Sequence, residues 1–239
     1  MLENIRKNYS PNFYIKKRKP GDIEFIIIHY TGMKSEKLAL KKLTSLNSNV
    51  SCHYFINYSG TIINLVPDLY TSWHAGKSRW GKNKSLNINS IGIEISNPGH
   101  ENTYIRFKKK QINSLIYLIS ILKKKYKIKN VNILGHSDIA PDRKKDPGEK
   151  FPWKLLYKKK ISIWHDIKEK TLKKYRNKTC CKAEIYKFYN NLKKIGYNTK
   201  NKTRVIKAFQ RRFRQTLISG KIDKECLFIS ISLVKIFKH

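Results

Sequence analysis

The chain has 239 residues, 40% of them hydrophobic, which excludes a disordered protein and allows one mid-sized domain followed by a small one. Its 52 Lys and Arg against 16 Asp and Glu give a net charge of +36, so non-specific binding of polyanions is expected. The basic residues are spread along the whole chain, however, which indicates a bias of composition rather than a dedicated nucleic-acid site.

The first half of the chain alternates predicted strands and helices. A continuous apolar run at residues 24–30 predicts a buried strand, and leucines at helical spacing predict a helix over residues 35–46. Residues 53–57 and 61–66 flank the turn sequence at residues 58–60 (YSG), an arrangement that is typical of a β-hairpin.

The same alternation continues up to residue 134. Isoleucines at residues 90–95 predict a further strand, and a strong apolar stripe predicts a long helix over residues 108–126. A short apolar run at residues 131–134 predicts the last strand. Strands interleaved with helices in this way indicate an α/β fold, with a mixed central sheet flanked by helices.

The remainder of the chain has a different, helical pattern. We predict that residues 1–165 form the first domain and that the charged stretch within residues 166–182 is a linker. Residues 183–239 have apolar side chains at helical spacing and are predicted to form a small C-terminal all-α module. Gly196 is predicted to stop one of its helices, and Asp223 is predicted to cap another.

Two histidines and an aspartate occupy positions suited to a metal site. His29 and His136 each stand at the end of an apolar strand, and Asp146 comes just before a Pro-Gly turn that would fix the direction of its carboxylate. Imidazole nitrogens and carboxylate oxygens are zinc ligands, and a catalytic zinc keeps one further position open. The residues alone leave Asp138 and Asp142 as alternatives to Asp146 for the third ligand. Each histidine could also be a buried core residue that binds no metal.

Glu94 is a charged residue inside an apolar strand. Burial of a carboxylate costs free energy unless the group is paired or functional, and it raises the pKa toward the range that suits a general base. Glu94 is therefore a candidate catalytic residue, with a salt bridge to one of the many lysines as the alternative.

Four segments occur in the order found in one known family: residues 29–32 (HYTG), 73–76 (WHAG), 90–94 (SIGIE) and 135–148 (GHSDIAPDRKKDPG). Through them the chain resembles the zinc-dependent N-acetylmuramoyl-L-alanine amidases of the AmpD and AmiD type, which are kin to the peptidoglycan-recognition fold. The resemblance runs from about the start of the chain to Trp164.

The resemblance implies hydrolysis of the amide bond that joins L-alanine to N-acetylmuramic acid, the latter in its ordinary or its 1,6-anhydro form. The substrates would be peptidoglycan or muropeptides, and the process cell-wall degradation or recycling. It implies a zinc ion held by three side chains: His29, His136 and Asp146. It also makes Glu94 the general base and acid and Lys144 the cation that stabilises the oxyanion. Arg143 and Lys145 are the alternatives to Lys144 if the loop has a different register.

Residues in or near the family segments are candidates for substrate binding, with packing as the alternative for the histidines: His53, Trp73, His74 and Asn97. Trp80 is a further candidate for stacking on a sugar or peptide. The remaining histidines are expected to have no part in the site: His100, His165 and His239. The helices after residue 183 resemble the three-helix peptidoglycan-binding module of AmiD-type amidases, and a generic helical cap on the main domain is the alternative.

Two other functions are compatible with parts of the sequence, namely a peptidoglycan sensor without chemistry and a nucleic-acid-binding protein. The complete set of metal ligands, base and cation argues against a sensor, and no nucleic-acid motif supports the second. We therefore expect a monomeric enzyme that binds muropeptides.

Neither a secretory signal nor a membrane span is visible in the sequence. The first 20 residues are polar and basic, without the apolar stretch of a signal peptide. No apolar run approaches the ~20 residues that cross a bilayer. The 4 cysteines follow no disulfide or metal-binding spacing and leave the redox compartment open. We predict a cytoplasmic protein, with the periplasm or cell envelope as the alternative.

Overall fold

The computed structural model describes residues 5–237, and a mixed β-sheet lies at its centre. Ten strands occur in this range: β1 (Arg6–Lys7), β2 (Phe13–Tyr14), β3 (Phe25–Tyr30), β4 (Tyr54–Ile56), β5 (Ile62–Asn64), β6 (Thr71–Ser72), β7 (Arg79–Trp80), β8 (Asn83–Lys84), β9 (Ser90–Ile95) and β10 (Ile133–Gly135). Six of them form the central sheet in the order β1-β5-β4-β9-β3-β10. Strands β4, β9, β3 and β10 are parallel, whereas β5 is antiparallel to β4. The predicted mixed sheet is confirmed.

Eight α-helices accompany the sheet in the described range: α1 (Glu36–Thr44), α2 (Lys109–Tyr126), α3 (His136–Ile139), α4 (Trp153–Lys158), α5 (Glu169–Tyr175), α6 (Lys182–Ile195), α7 (Lys202–Phe213) and α8 (Lys224–Phe237). Helix α2 confirms the predicted long helix and buries the predicted stripe, including Leu115, Ile119 and Leu122. It ends where Lys127 adopts a left-handed backbone with φ of 55°.

Helices cover both faces of the sheet, because successive side chains of a strand point to opposite sides. Tyr54 and Ile56 of β4 join the large core that includes α2, whereas Phe55 between them joins a smaller cluster with Ala39 and Leu43 of α1. The sheet is thus flanked by helices, as the sequence predicts.

Regular pairing is shorter than predicted in the hairpin and in the last strand. The His53 carbonyl accepts hydrogen bonds from the amides of both Leu65 and Val66, so two residues face one and the ladder ends there. The last strand starts only at Ile133, because Asn130–Asn132 form a 3₁₀ turn.

The C-terminal part confirms the predicted helices but places α5 within the predicted linker of residues 166–182. Gly196 ends α6 with φ of 125°, a conformation that favours glycine. Asp223 Oδ1 accepts a hydrogen bond from the Cys226 amide at 2.9 Å, which is the predicted cap of α8.

The three C-terminal helices pack directly on the sheet domain. One continuous cluster of buried apolar side chains extends from β3 into α6, α7 and α8. Trp80 lies at this junction: a Cβ on Gly196 would come within 2.6 Å of its ring, and its ring centroid is 4.8 Å from that of Tyr197. Trp80 is therefore an interdomain packing residue, and the prediction that it stacks on substrate is wrong.

Membrane-spanning geometry does not occur among the described helices: within residues 5–237, none is long and apolar enough to cross a bilayer.

Candidate metal centre

Three neighbouring parallel strands bring the predicted site together at one edge of the sheet. His29 is near the end of β3, and Glu94 lies beside it in register on β9. His136 directly follows β10 on the other side of β3. Asp146 arrives by a loop that is held by a hydrogen bond from the Ser137 amide to the Asp146 carbonyl at 2.8 Å. Residues that are 117 positions apart therefore meet at one point.

The three predicted ligands form a compact triangle of buried donor atoms. Nδ1 of His29 is 2.9 Å from Nδ1 of His136 and 3.1 Å from Oδ2 of Asp146, and the third side of the triangle is 3.0 Å. Zinc–ligand bonds of ~2.0–2.1 Å place the ligand atoms of a tetrahedron about 3.3 Å apart. The spacing therefore suits a small ion coordinated by two nitrogens and one oxygen.

The outward nitrogen of His29 is held by a chain of hydrogen bonds that decides where its proton lies. Ser90 Oγ donates to the Leu86 carbonyl and accepts from His74 Nε2 at 3.1 Å. His74 Nδ1 is therefore an acceptor, and His29 Nε2 donates to it at 3.0 Å. With its proton on Nε2, His29 presents an unprotonated Nδ1 to the triangle.

His136 has the same tautomer for a different reason. Its Nε2 lies 3.2 Å from the Ala75 carbonyl, which can only accept a hydrogen bond, and 3.4 Å from the Arg143 guanidinium. The nearer partner places the proton on Nε2 and leaves Nδ1 free to bind a metal.

The arrangement of these three donor atoms therefore fits a bound cation. Two unprotonated nitrogens and a carboxylate oxygen face one another at hydrogen-bonding distance without a proton between them, and these three lone pairs repel unless a positive ion lies among them. Burial, and then the neighbouring His136, lower the pKa of His29 to about 4. His29 is therefore in its neutral, metal-binding form at neutral pH.

Asp146, and neither alternative carboxylate, joins the imidazoles among the described residues. Asp138 has both oxygens occupied by other partners, including Tyr197 and Arg212. Asp142 is exposed on the loop surface.

Glu94 lines a cavity of about 390 Å³ whose lining also includes His136 and Asp146. Its side chain is half-buried, and within the described part of the chain its Oε2 atom has no hydrogen-bond partner and the residue forms no ion pair. Burial, helped by the charge of Asp146, raises the pKa of Glu94 to about 8. The alternative of a structural salt bridge is not what the structure shows.

Lys144 lies in the wall of the same cavity. Its positive charge adds to the lowering of the pKa of His29 and partly offsets the rise in the pKa of Glu94. The Arg143 guanidinium is engaged with main-chain carbonyls, among them that of Lys77 at 2.9 Å. Lys145 is exposed, whereas Lys144 is half-buried. Of the three basic neighbours, Lys144 is therefore the best placed to act on a bound substrate.

The four predicted substrate-binding residues fall into two groups. Trp73 and His74 line the cavity, and His74 in addition holds His29. His53 is fully buried outside the cavity lining, with Nδ1 accepting from the Gly92 amide at 3.0 Å and Nε2 beside the Tyr70 carbonyl at 3.0 Å.

Asn97 is also buried away from the cavity. It donates to the Ile105 carbonyl at 2.9 Å and accepts from the Gly99 amide at 3.0 Å. The structure therefore corrects the predictions for His53 and Asn97, because the polar atoms of both are used by the protein itself.

The cavity wall also contains residues for which the sequence has no signal: Lys42, His100 and Glu101. His100, which was expected to have no part in the site, is bonded to the Tyr30 hydroxyl at 2.8 Å and to Glu149 at 3.0 Å. His165 lies outside the cavity lining, and His239 lies outside the described residues.

Comparison with known proteins adds a family profile and two relatives. A profile described as N-acetylmuramoyl-L-alanine amidase matches residues 19–149. The N-acetylmuramoyl-L-alanine amidase AmiD of Escherichia coli K12 is 34% identical over 231 residues, which cover 89% of this chain and 83% of that protein. The 1,6-anhydro-N-acetylmuramyl-L-alanine amidase AmpD of Haemophilus influenzae is 30% identical over 171 residues, covering 64% and 90%.

Solved structures are similar over nearly the whole chain, including the C-terminal helices. AmiD from E. coli, in complex with the substrate anhydro-N-acetylmuramic acid-L-Ala-D-γ-Glu-L-Lys, superposes with a TM-score of 0.81 at 33% identity, covering 90% of each chain. AmpDh3 from Pseudomonas aeruginosa gives a TM-score of 0.80 at 30% identity, covering 97% of this chain and 99% of that one. A complex of AmpDh3 with anhydromuramic pentapeptide gives 0.79 at 30% identity, covering 96% and 98%.

Proposed function

This chain belongs to the N-acetylmuramoyl-L-alanine amidase family, and from that premise we propose that it cleaves the muramoyl–L-alanine amide of muropeptides with one zinc ion. The enzyme is an amidase that serves cell-wall degradation or recycling. The observation that supports the metal-dependent mechanism most strongly is the buried triangle of His29, His136 and Asp146, two of which line the same cavity as Glu94.

Zinc is the ion that best matches this donor set, because two imidazoles and one carboxylate are typical ligands of catalytic zinc sites. When bound, it would polarise the scissile carbonyl and acidify the attacking water. His29, His136 and Asp146 would hold it, and hydrogen bonds fix the outward nitrogens of the two histidines.

Glu94 takes one proton from the attacking water, whose oxygen forms the new bond to the carbonyl carbon. As the C–N bond breaks, Glu94 returns that proton to the amine nitrogen of the departing L-alanine, so the carboxylate ends the cycle unchanged. The Lys144 ammonium in the cavity wall stabilises the negative charge that develops on the carbonyl oxygen. All five residues belong to one chain, so a monomer suffices.

Trp73 and His74 are the residues that we propose for contact with the substrate, and His74 would contact it through ring carbons because His29 and Ser90 occupy both its nitrogens. Lys42, Arg143 and Lys145 join Lys144 in the cavity wall, which gives this wall a positive charge suited to the carboxylates of a stem peptide. Residues 1–165 are the proposed catalytic domain, 166–182 the connection, and 183–239 a module that resembles peptidoglycan-binding helices.

The proposed function is tested by incubating the full chain with a muramoyl-tripeptide and following peptide release by mass spectrometry. We expect release of the free peptide, its abolition by a zinc chelator, and its recovery when zinc is added back. If zinc is bound but no peptide is released from either anhydro or reducing muropeptides, the protein is a binding protein instead. A preference for the anhydro form would favour recycling in the cytoplasm, whereas cleavage of intact wall would favour the cell envelope.

A further inference from the structure

Asp138, two residues after the metal ligand His136, has a fully buried carboxylate that the proposed mechanism does not use. Its Oδ2 accepts from the Gly135 amide at 2.8 Å and from Nη1 of Arg212 at 2.6 Å. Its Oδ1 accepts from the Tyr197 hydroxyl at 2.6 Å. Two of these three donors come from the C-terminal helical module, which is otherwise separate in the sequence.

Arg212 contacts both ends of the turn that leads from β10 into α3, and Asp138 is at its far end. Its Nη2 donates to the carbonyl of Ile133, the first residue of β10, at 2.9 Å. Its guanidinium carbon lies 4.4 Å from the ring centroid of Trp153, and the side chain is 2% exposed. One rigid guanidinium therefore fixes both ends of the strand-to-helix turn that contains His136.

The clamped turn also supports a second metal ligand. A Cβ on Gly135 would come within 2.6 Å of Pro147 Cδ, so the turn packs against the residue that follows Asp146. The Ser137 amide holds the Asp146 carbonyl at 2.8 Å. A displacement of this turn would therefore move two corners of the metal triangle together.

Stability alone is a weak reason for such an ion pair. Desolvation of two buried charges offsets most of their attraction, and apolar side chains of similar volume often stabilise a core as well or better. The ion pair does supply a fixed geometry, because Asp138 and Arg212 meet only when α7 and the turn after β10 are in one relative position.

We propose that the C-terminal module is part of the metal site's scaffold, in which Arg212 and Tyr197 act as positioning residues for His136 through Asp138. The proposal rests on His136 being a metal ligand, as in the proposed function. Outer partners of metal ligands typically affect metal affinity by ~10–100-fold when they are removed.

The test is the zinc affinity of the full-length protein, measured by competition with a chromophoric chelator. Tyr197→Phe removes only the hydroxyl on Asp138, which is not itself a metal ligand, and is expected to weaken zinc binding about 3- to 10-fold, at or below the lower end of the range for outer partners of metal ligands. Tyr126→Phe is the matched control, because its hydroxyl also donates to a buried carboxylate, Asp68, at 2.6 Å. The control is expected to bind zinc as the wild type does.

A second pair of variants separates positioning from general loss of stability. Arg212→Met and Arg214→Met each remove a buried arginine of the module, and the Arg214 side chain, 1% exposed, is bound to Asp223 and Glu225 instead. Both should lower the melting temperature, but only Arg212→Met should weaken zinc binding.

Equal zinc affinity in Tyr197→Phe, Arg212→Met and the wild type would overturn the proposal, as would an equal loss in the two controls. Failure of the wild-type protein to bind zinc would instead overturn the metal site itself, and this proposal with it. The readout is thus independent of amidase turnover.

Discussion

With glutamine in place of Glu94, the protein is expected to bind zinc as the wild type does and to turn over muropeptide about 10²–10⁴-fold more slowly. Glutamine has nearly the same shape but cannot accept and return a proton. Glu94 does not belong to the metal triangle, so zinc should remain bound. The measurement is kcat by mass spectrometry together with zinc content. Wild-type turnover in this variant would remove Glu94 from the mechanism.

The same substitution, which lowers turnover, is expected to raise the stability of the metal-free protein. An unfolded glutamate has a pKa of about 4.3, whereas burial raises the pKa of Glu94 in the folded chain to about 8. The contribution of Glu94 to the free energy of unfolding is therefore complete below the unfolded pKa and is lost as the pH rises through the folded one. Relative to the wild type, Glu94→Gln should gain stability as the pH rises from about 4.3 to about 8, and the difference should stay constant above that pH. Glu24→Gln, exposed at the other end of the sheet, is the control and should leave this pH dependence unchanged.

Asp146→Ala is expected to abolish both zinc binding and turnover. It removes one of three ligands and the negative charge of the triangle, so the loss of zinc affinity should exceed the ~10–100-fold that outer partners produce. Zinc content after dialysis and the competition titration measure the effect. Asp142→Ala, on the same loop but exposed, is the control and should retain zinc. Loss of zinc in Asp142→Ala and retention in Asp146→Ala would reassign the third ligand.

The parts of the fold that were predictable from the sequence are those with a strong local pattern. Strand β9 matches residues 90–95 because its apolar run is bounded by polar residues, and α2 follows its apolar stripe to within one residue. The metal triangle was predictable because each member stands at a strand end or in a turn, within a motif of the family.

Contacts without a local pattern were not predictable in the same way. His74 has its decisive partner, His29, 45 residues away, and the sequence alone cannot tell a ring that touches substrate from one that holds a ligand. Arg212 is 74 residues from Asp138 and is one of many basic residues. His53 and Asn97 lie close to family segments, yet their polar atoms bind groups of the protein itself, including main-chain groups, which no residue pattern records.

The hydrogen-bond chain from Leu86 to His29 makes the folded protein a rigid chelator rather than one that closes around its ion. Hydrogen bonds on the outward Nε2 atoms of both imidazoles turn Nδ1 of each ring into the triangle before an ion arrives. Three donors fixed about 3 Å apart match ions of the size of zinc and disfavour calcium, which needs six to eight oxygens at ~2.3–2.6 Å. We therefore expect metal uptake to need no rearrangement of these three side chains, so that the metal-free and metal-bound proteins share one conformation at the site.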